Sequence, residues 1–70
     1  MTLSPQQYQC VALLARGLSD KAIARELGVA TRTVKTHLTV ARARTGTHNR
    51  VQLAVLFLRG EFASPMRRVA

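Results

Sequence analysis

The sequence holds one cysteine, no tryptophan, and acids at only three positions, Asp20, Glu26 and Glu61. A single cysteine excludes an internal disulfide. Cys10, His37 and His48 do not reproduce any close-paired zinc-ligand spacing, so no structural metal is expected and no cofactor is implied. The chain has no paired carboxylates, no nucleophile beside a base and no phosphate-cradling glycine loop, so an enzyme is not expected. Long apolar runs are missing too: none is longer than that at residues 53–58, far short of a bilayer span. Residues 1–3 carry neither a basic nor an apolar leader pattern, and with the free thiol this leads us to expect a cytoplasmic protein with no membrane partner.

What is present is a single small domain. Seventy residues, 47% of them hydrophobic, make one modest core. A chain this short removes only about 60% of its unfolded surface from water, so its stability is marginal unless something else adds to it. With metal and disulfide set aside, self-association is the remaining route. The charge is lopsided: eleven Lys and Arg, nine of them Arg, against three acids give a formal net charge of +8. Such an excess repels itself in a compact fold and suits a polyanionic partner, nucleic acid before an anionic membrane.

Glycine punctuates the chain at Gly17, Gly28, Gly46 and Gly60, each after a stretch of helix formers, where a left-handed residue ends a helix. Four helices are predicted, at about 5–16, 20–27, 31–45 and 50–59, giving an all-α four-helix bundle. Ser4, Pro5 and Gln7 open the first as N-cap, N1 and N3 of a capping box, and Cys10, Val11, Leu14 and Ala15 form its inner stripe. Ser19 caps the second, Asp20 suits its dipole, and Ile23, Ala24 and Leu27 face inward. In the third, Val34, Leu38, Ala41 and Thr45 share one narrow arc, while Arg32, Thr36, Thr39 and Ala43 share the opposite one. This helix carries no acid, unlike an ordinary solvated face of mixed charge.

Asn49 caps the fourth helix, where only Gln52 and Arg59 share a polar sector. So wide an apolar arc has one side for the core and another for a second copy across a two-fold axis, with Val51, Val55 and Leu58 as the expected dimer interface. We expect a helix-turn-helix domain over residues 1–60. Residues 61–70, with Ser64-Pro65 and Arg67-Arg68, have little to bury and are expected to form a mobile C-terminal tail.

Two short helices joined by a Gly-containing turn, the second longer and basic, form a helix-turn-helix arrangement. Ile23 and Ala24 pack inward, Gly28 makes the turn, Val29 is expected to plug the corner, and Val34 anchors the second helix. The blocks Leu3-Ser4-Pro5, Gly17-Leu18-Ser19, Ile23-Ala24-Arg25-Glu26-Leu27-Gly28, Thr33-Val34-Lys35-Thr36-His37 and Asn49-Arg50-Val51-Gln52-Leu53-Ala54 occur in an order and spacing that resembles the LuxR-type (GerE-like) DNA-binding domain over about residues 3–58.

The resemblance implies a four-helix domain whose third helix enters the major groove and whose fourth pairs across a two-fold axis on an inverted-repeat site. It puts Lys35, Thr36 and Thr39 at groove-facing recognition positions, Thr33 at a backbone-contacting position, and Ser19 and Lys21 beside phosphates. The family usually has acids where Gln7 and Gln9 stand, and a Ser N-cap where Ala30 stands. Most members carry a sensory or receiver domain ahead of this module, so a free-standing regulator or a fragment of a larger one is implied.

Lys35 is suited to guanine or a phosphate, and the two threonines to a thymine methyl or either hydrogen-bonding partner on a base edge. Arg32, Arg42, Arg44 and Arg50 are expected to supply sequence-blind phosphate contacts. His37 is expected to pack beside the inner arc, and Cys10 to be a small buried hydrophobe. The leading expectation is a homodimeric, sequence-specific regulator of transcription that binds double-stranded DNA. An alternative is an interaction module that sequesters another transcription regulator through the fourth helix. A membrane-surface binder fits poorly, because the cations are scattered over several capped helices.

Overall fold

The computed structural model describes residues 3–61; the expectations for the tail beyond Glu61, including those for Ser64-Pro65 and Arg67-Arg68, lie outside the described residues. Four helices follow in order, α1 (Pro5–Ala15), α2 (Asp20–Leu27), α3 (Thr31–Thr45) and α4 (Arg50–Leu58), with no strand among the described residues. The first and last stop one residue short of expectation, because Arg16 and Arg59 serve as their C-caps.

Local chemistry sets these boundaries. Ser4 Oγ accepts from the Gln7 amide at 3.2 Å while Gln7 Oε1 accepts from the Ser4 amide at 3.0 Å, so the capping box closes in both directions. Closing it draws Gln7 inside, 7% exposed. Leu3, absent from the expected core, is 1% exposed: it occupies the position before the N-cap, where an apolar residue packs back and fixes the angle of the incoming chain. Ser19 and Asn49 accept from the amides of Ala22 and Gln52 at 3.2 and 2.9 Å.

Between α1 and α2 the Leu18 amide donates to the Leu13 carbonyl at 3.3 Å and the Gly17 amide to Leu14 at 2.9 Å, the paired bonds of a Schellman turn. Val29 and Gly28 repeat the pattern at the end of α2, bonding Ala24 at 3.0 Å and Arg25 at 3.4 Å. Gly28 sits there at φ 69°, a left-handed conformation that a Cβ would strain. The expectation that Val29 plugs the corner is corrected here. Its backbone closes the turn, but its side chain stays 41% exposed. The apolar contact that usually accompanies such a turn is made with the residue five positions back, and the small Ala24 offers Val29 little to lie against.

α1 lies against α3 and α4, α2 against α3 and α1, and α3 touches α4, whereas α2 and α4 do not pack on one another. The core combines Leu3, Cys10, Val11 and Leu14 with Ile23, Ala24, Val34, Leu38, Ala41 and Leu53. Tyr8 and Phe57 close one flank edge to face, their ring centroids 5.2 Å apart. Thr45, the one polar member of the inner arc of α3, is half-buried with its hydroxyl satisfied by the Ala41 carbonyl at 2.9 Å.

Candidate nucleic-acid interface

α3 is amphipathic in the sense its spacing predicts. Val34, Leu38 and Ala41 are buried, which turns Arg32, Lys35, Thr36, Thr39 and Ala43 outward, all exposed. Because one side is locked onto α1 and α2, the other is held as a helical rod of 15 residues with no acid along it. Thr33, Arg42 and His37 are half-buried on its flanks. The rod therefore offers small side chains at its crest and cations along its margins, a shape and charge that fit a groove between phosphates.

The crest hydroxyls are partly committed. Thr36 Oγ1 donates to the Arg32 carbonyl at 3.0 Å, which leaves its lone pairs and its methyl for an outside partner. Arg42 Nη2 lies 3.5 Å from Thr39 Oγ1, a long contact that leans the guanidinium over the crest. At the head of the helix Ala30 makes no side-chain cap, whereas the other three helices are capped. Ser19 and Lys21 are exposed at the head of α2, with the Ser19 oxygen already engaged as cap.

One arrangement at this surface was not anticipated. Arg50 Nη2 lies 3.1 Å from Asp20 Oδ1, joining the first residues of α4 and α2. Asp20 Oδ1 is buried yet receives no aligned hydrogen bond, so the contact is an ion pair in which Arg50 is the charge opposite it. Lys35 borders the same ground: Asp20, Lys35 and Arg50 together rim two depressions of about 710 and 400 Å³. Burial, and then the Asp20 carboxylate, pushes the Cys10 thiol up from its ordinary value, so this cysteine is a protonated core residue. No sequence signal marks the Asp20–Arg50 pair, since the residues are 30 positions apart on helices that do not pack together.

α4 sends Leu53 fully into the core and leaves Val51 68%, Val55 44% and Leu58 69% exposed. The three residues expected at a dimer interface are thus brought to one open face, beside a shallow depression that Val51, Val55 and Leu56 share with Thr45 and Thr47. Among the described residues, no group of three or more His, Cys, Asp or Glu side chains is placed to hold a metal ion, and no helix is long and apolar enough to cross a membrane.

Residues 1–57 match the family model described as GerE, bacterial regulatory proteins, luxR family. The chain is 48% identical over 52 residues to Mb0914c of Mycobacterium bovis, whose name places it among HTH-type transcriptional regulators; the match covers 74% of this chain and 6% of that protein. It is 40% identical over 53 residues to the two-component response regulator PprB of Pseudomonas aeruginosa, covering 76% of this chain and 19% of that one. The chain thus spans a small part of the length of these relatives. The solved structure of the transcription factor GerE superposes with a TM-score of 0.75 at 27% identity, covering 89% of this chain and 94% of that one.

Proposed function

Because the chain belongs to the luxR family of bacterial regulatory proteins and has the GerE-like helix-turn-helix fold of a DNA-binding domain, we propose that it binds a specific inverted-repeat site in double-stranded DNA as a homodimer and so regulates transcription in the cytoplasm. α3 enters the major groove. Lys35, Thr36 and Thr39 meet base edges, while Ser19, Lys21, Arg32, Thr33 and Arg42 hold phosphates on either side. Arg50, expected among the phosphate contacts, has its charge set against Asp20. Val51, Val55 and Leu58 meet their counterparts across the two-fold axis.

The observation that carries this reading is the exposed, acid-free crest of α3, with Lys35 and both threonines outward while Val34, Leu38 and Ala41 fasten the other side. A random duplex pool selected on the protein at two salt concentrations returns a palindrome with half-sites about one helical turn apart. Lys35→Ala then loses roughly 5- to 150-fold in preference for that site, the worth of one good base contact, with its helical circular dichroism unchanged. A Lys35→Ala protein that binds the selected site as tightly as the parent refutes the assignment of α3 as the reading helix.

The open face of α4 also supports a second reading, capture of another regulator carrying a like helix, since Val51 and Leu58 are both more than two-thirds exposed. A protein that associates with such a regulator yet recovers no sequence from the pool, at either salt concentration, follows this second course.

A further inference from the structure

Asp20 and Arg50 are both the first residues of their helices. An anion there is well placed against the positive end of the helix dipole, and a cation is misplaced. Arg50 offsets its position by facing Asp20 at 3.1 Å, across a gap between two helices that do not otherwise pack. The carboxylate sits among proposed phosphate ligands, with Ser19 and Lys21 on either side in sequence and Lys35 rimming the same two depressions.

The two partners differ in what they lose on separation. The Arg50 side chain is 48% exposed and exchanges one partner for water at small cost. Asp20 is 19% exposed, and its Oδ1 is buried with the Arg50 guanidinium as the charge beside it. A DNA phosphate that draws Arg50 away leaves the carboxylate without its opposite charge, close to a second anion. Displacement is therefore penalised twice.

On the DNA-binding reading, we propose that Asp20 is a positioning residue that withholds Arg50 from the DNA backbone, so that the domain neutralises one phosphate fewer than its exposed cations alone would allow. The effect is selective. Contacts to phosphate carry no sequence information, so removing one lowers the background on arbitrary DNA and leaves site choice to the crest of α3.

The test is the salt dependence of binding to a labelled duplex of random sequence, read by fluorescence anisotropy between about 0.05 and 0.2 M salt. Asp20→Asn frees Arg50, steepens the slope of log K against log salt by about 0.9, and so enlarges the fall in affinity over that range about 3.5-fold relative to the parent. Arg50→Gln keeps the parent slope, as does Asp20→Asn combined with Arg50→Gln. Glu26→Gln, which removes an exposed acid from the same helix with no arginine set free, also keeps it.

An Asp20→Asn slope no steeper than that of Glu26→Gln overturns the proposal, and so does an Arg50→Gln slope flatter than the parent by about 0.9. Where circular dichroism shows Asp20→Asn unfolded, Arg50→Gln decides alone on the same criterion. A parent that binds no duplex at the lowest salt refutes the DNA-binding reading and the proposal with it; a parent that binds while the variants miss these slopes refutes the proposal only.

Discussion

Leu53 and Leu58 are the same residue type on one nine-residue helix, yet the first is 0% and the second 69% exposed. Truncating each to alanine separates what α4 does within the chain from what its open face does outside it. Leu53→Ala removes a side chain packed into the core formed by all four helices, at a cost of about 3 kcal/mol in lost transfer energy and residual cavity. A domain of this size has roughly 3–10 kcal/mol of stability in total. The folded population therefore falls about 150-fold relative to the unfolded, and the melting midpoint drops by roughly 12–24 °C. Leu58→Ala removes a side chain already in water and changes the stability of the isolated chain by less than about 0.5 kcal/mol.

Melts followed by circular dichroism over a range of protein concentrations distinguish the two. On the proposed pairing of two copies through α4, the parent midpoint rises with concentration, and Leu58→Ala abolishes that rise while matching the parent at the lowest concentration. A Leu58→Ala protein as unstable as Leu53→Ala at the lowest concentration would refute the reasoning, because Leu58 would then be covered within its own chain.

Ala30→Ser adds a side-chain acceptor at the head of α3, where the Thr33 amide now donates only to the Ala30 carbonyl at 3.0 Å, and raises stability by about 0.5–1 kcal/mol in urea unfolding; no gain would mean that this carbonyl already satisfies the amide. Cys10 resists alkylation in the folded protein and reacts only as the chain opens, which a thiol-reactive dye measures against urea concentration. Its thiol is raised in the folded state, so the folded chain holds the proton that the unfolded chain releases. The corresponding stability is fully present below about pH 8.5 and is lost as the pH climbs toward the folded value, and Cys10→Ala removes this part of the decline. A Cys10→Ala protein with the parent's full alkaline slope would assign the decline to other groups.

The helices were legible because their boundaries are written in local chemistry. Ser4 with Gln7, Ser19 with Asp20, and Asn49 each act within four residues, and Gly17 and Gly28 end their helices by bonds to the turn just before them. The faces of α3 were legible for a related reason: a buried stripe at helical spacing fixes which residues point away from it. Val29 was misread because burial depends on the partner as well as the residue, and alanine at position 24 provides too small a surface to cover it. Leu3 and Gln7 were missed as buried residues because closing a capping box draws in groups that periodicity assigns to no face. The Asp20–Arg50 pair lies beyond either kind of signal. Each partner reads separately as an ordinary helix-start residue, one favourable and one not, and only the approach of two helix heads through a core built by α1 and α3 makes them complementary. The number of cations has the same limit as a predictor of DNA affinity. A tally of eleven Lys and Arg counts Arg50 as free, whereas the folded chain places that arginine against the Asp20 carboxylate. On the proposed DNA-binding reading, affinity for arbitrary DNA follows from the cations that folding leaves unmatched, and a count of Lys and Arg alone overstates it.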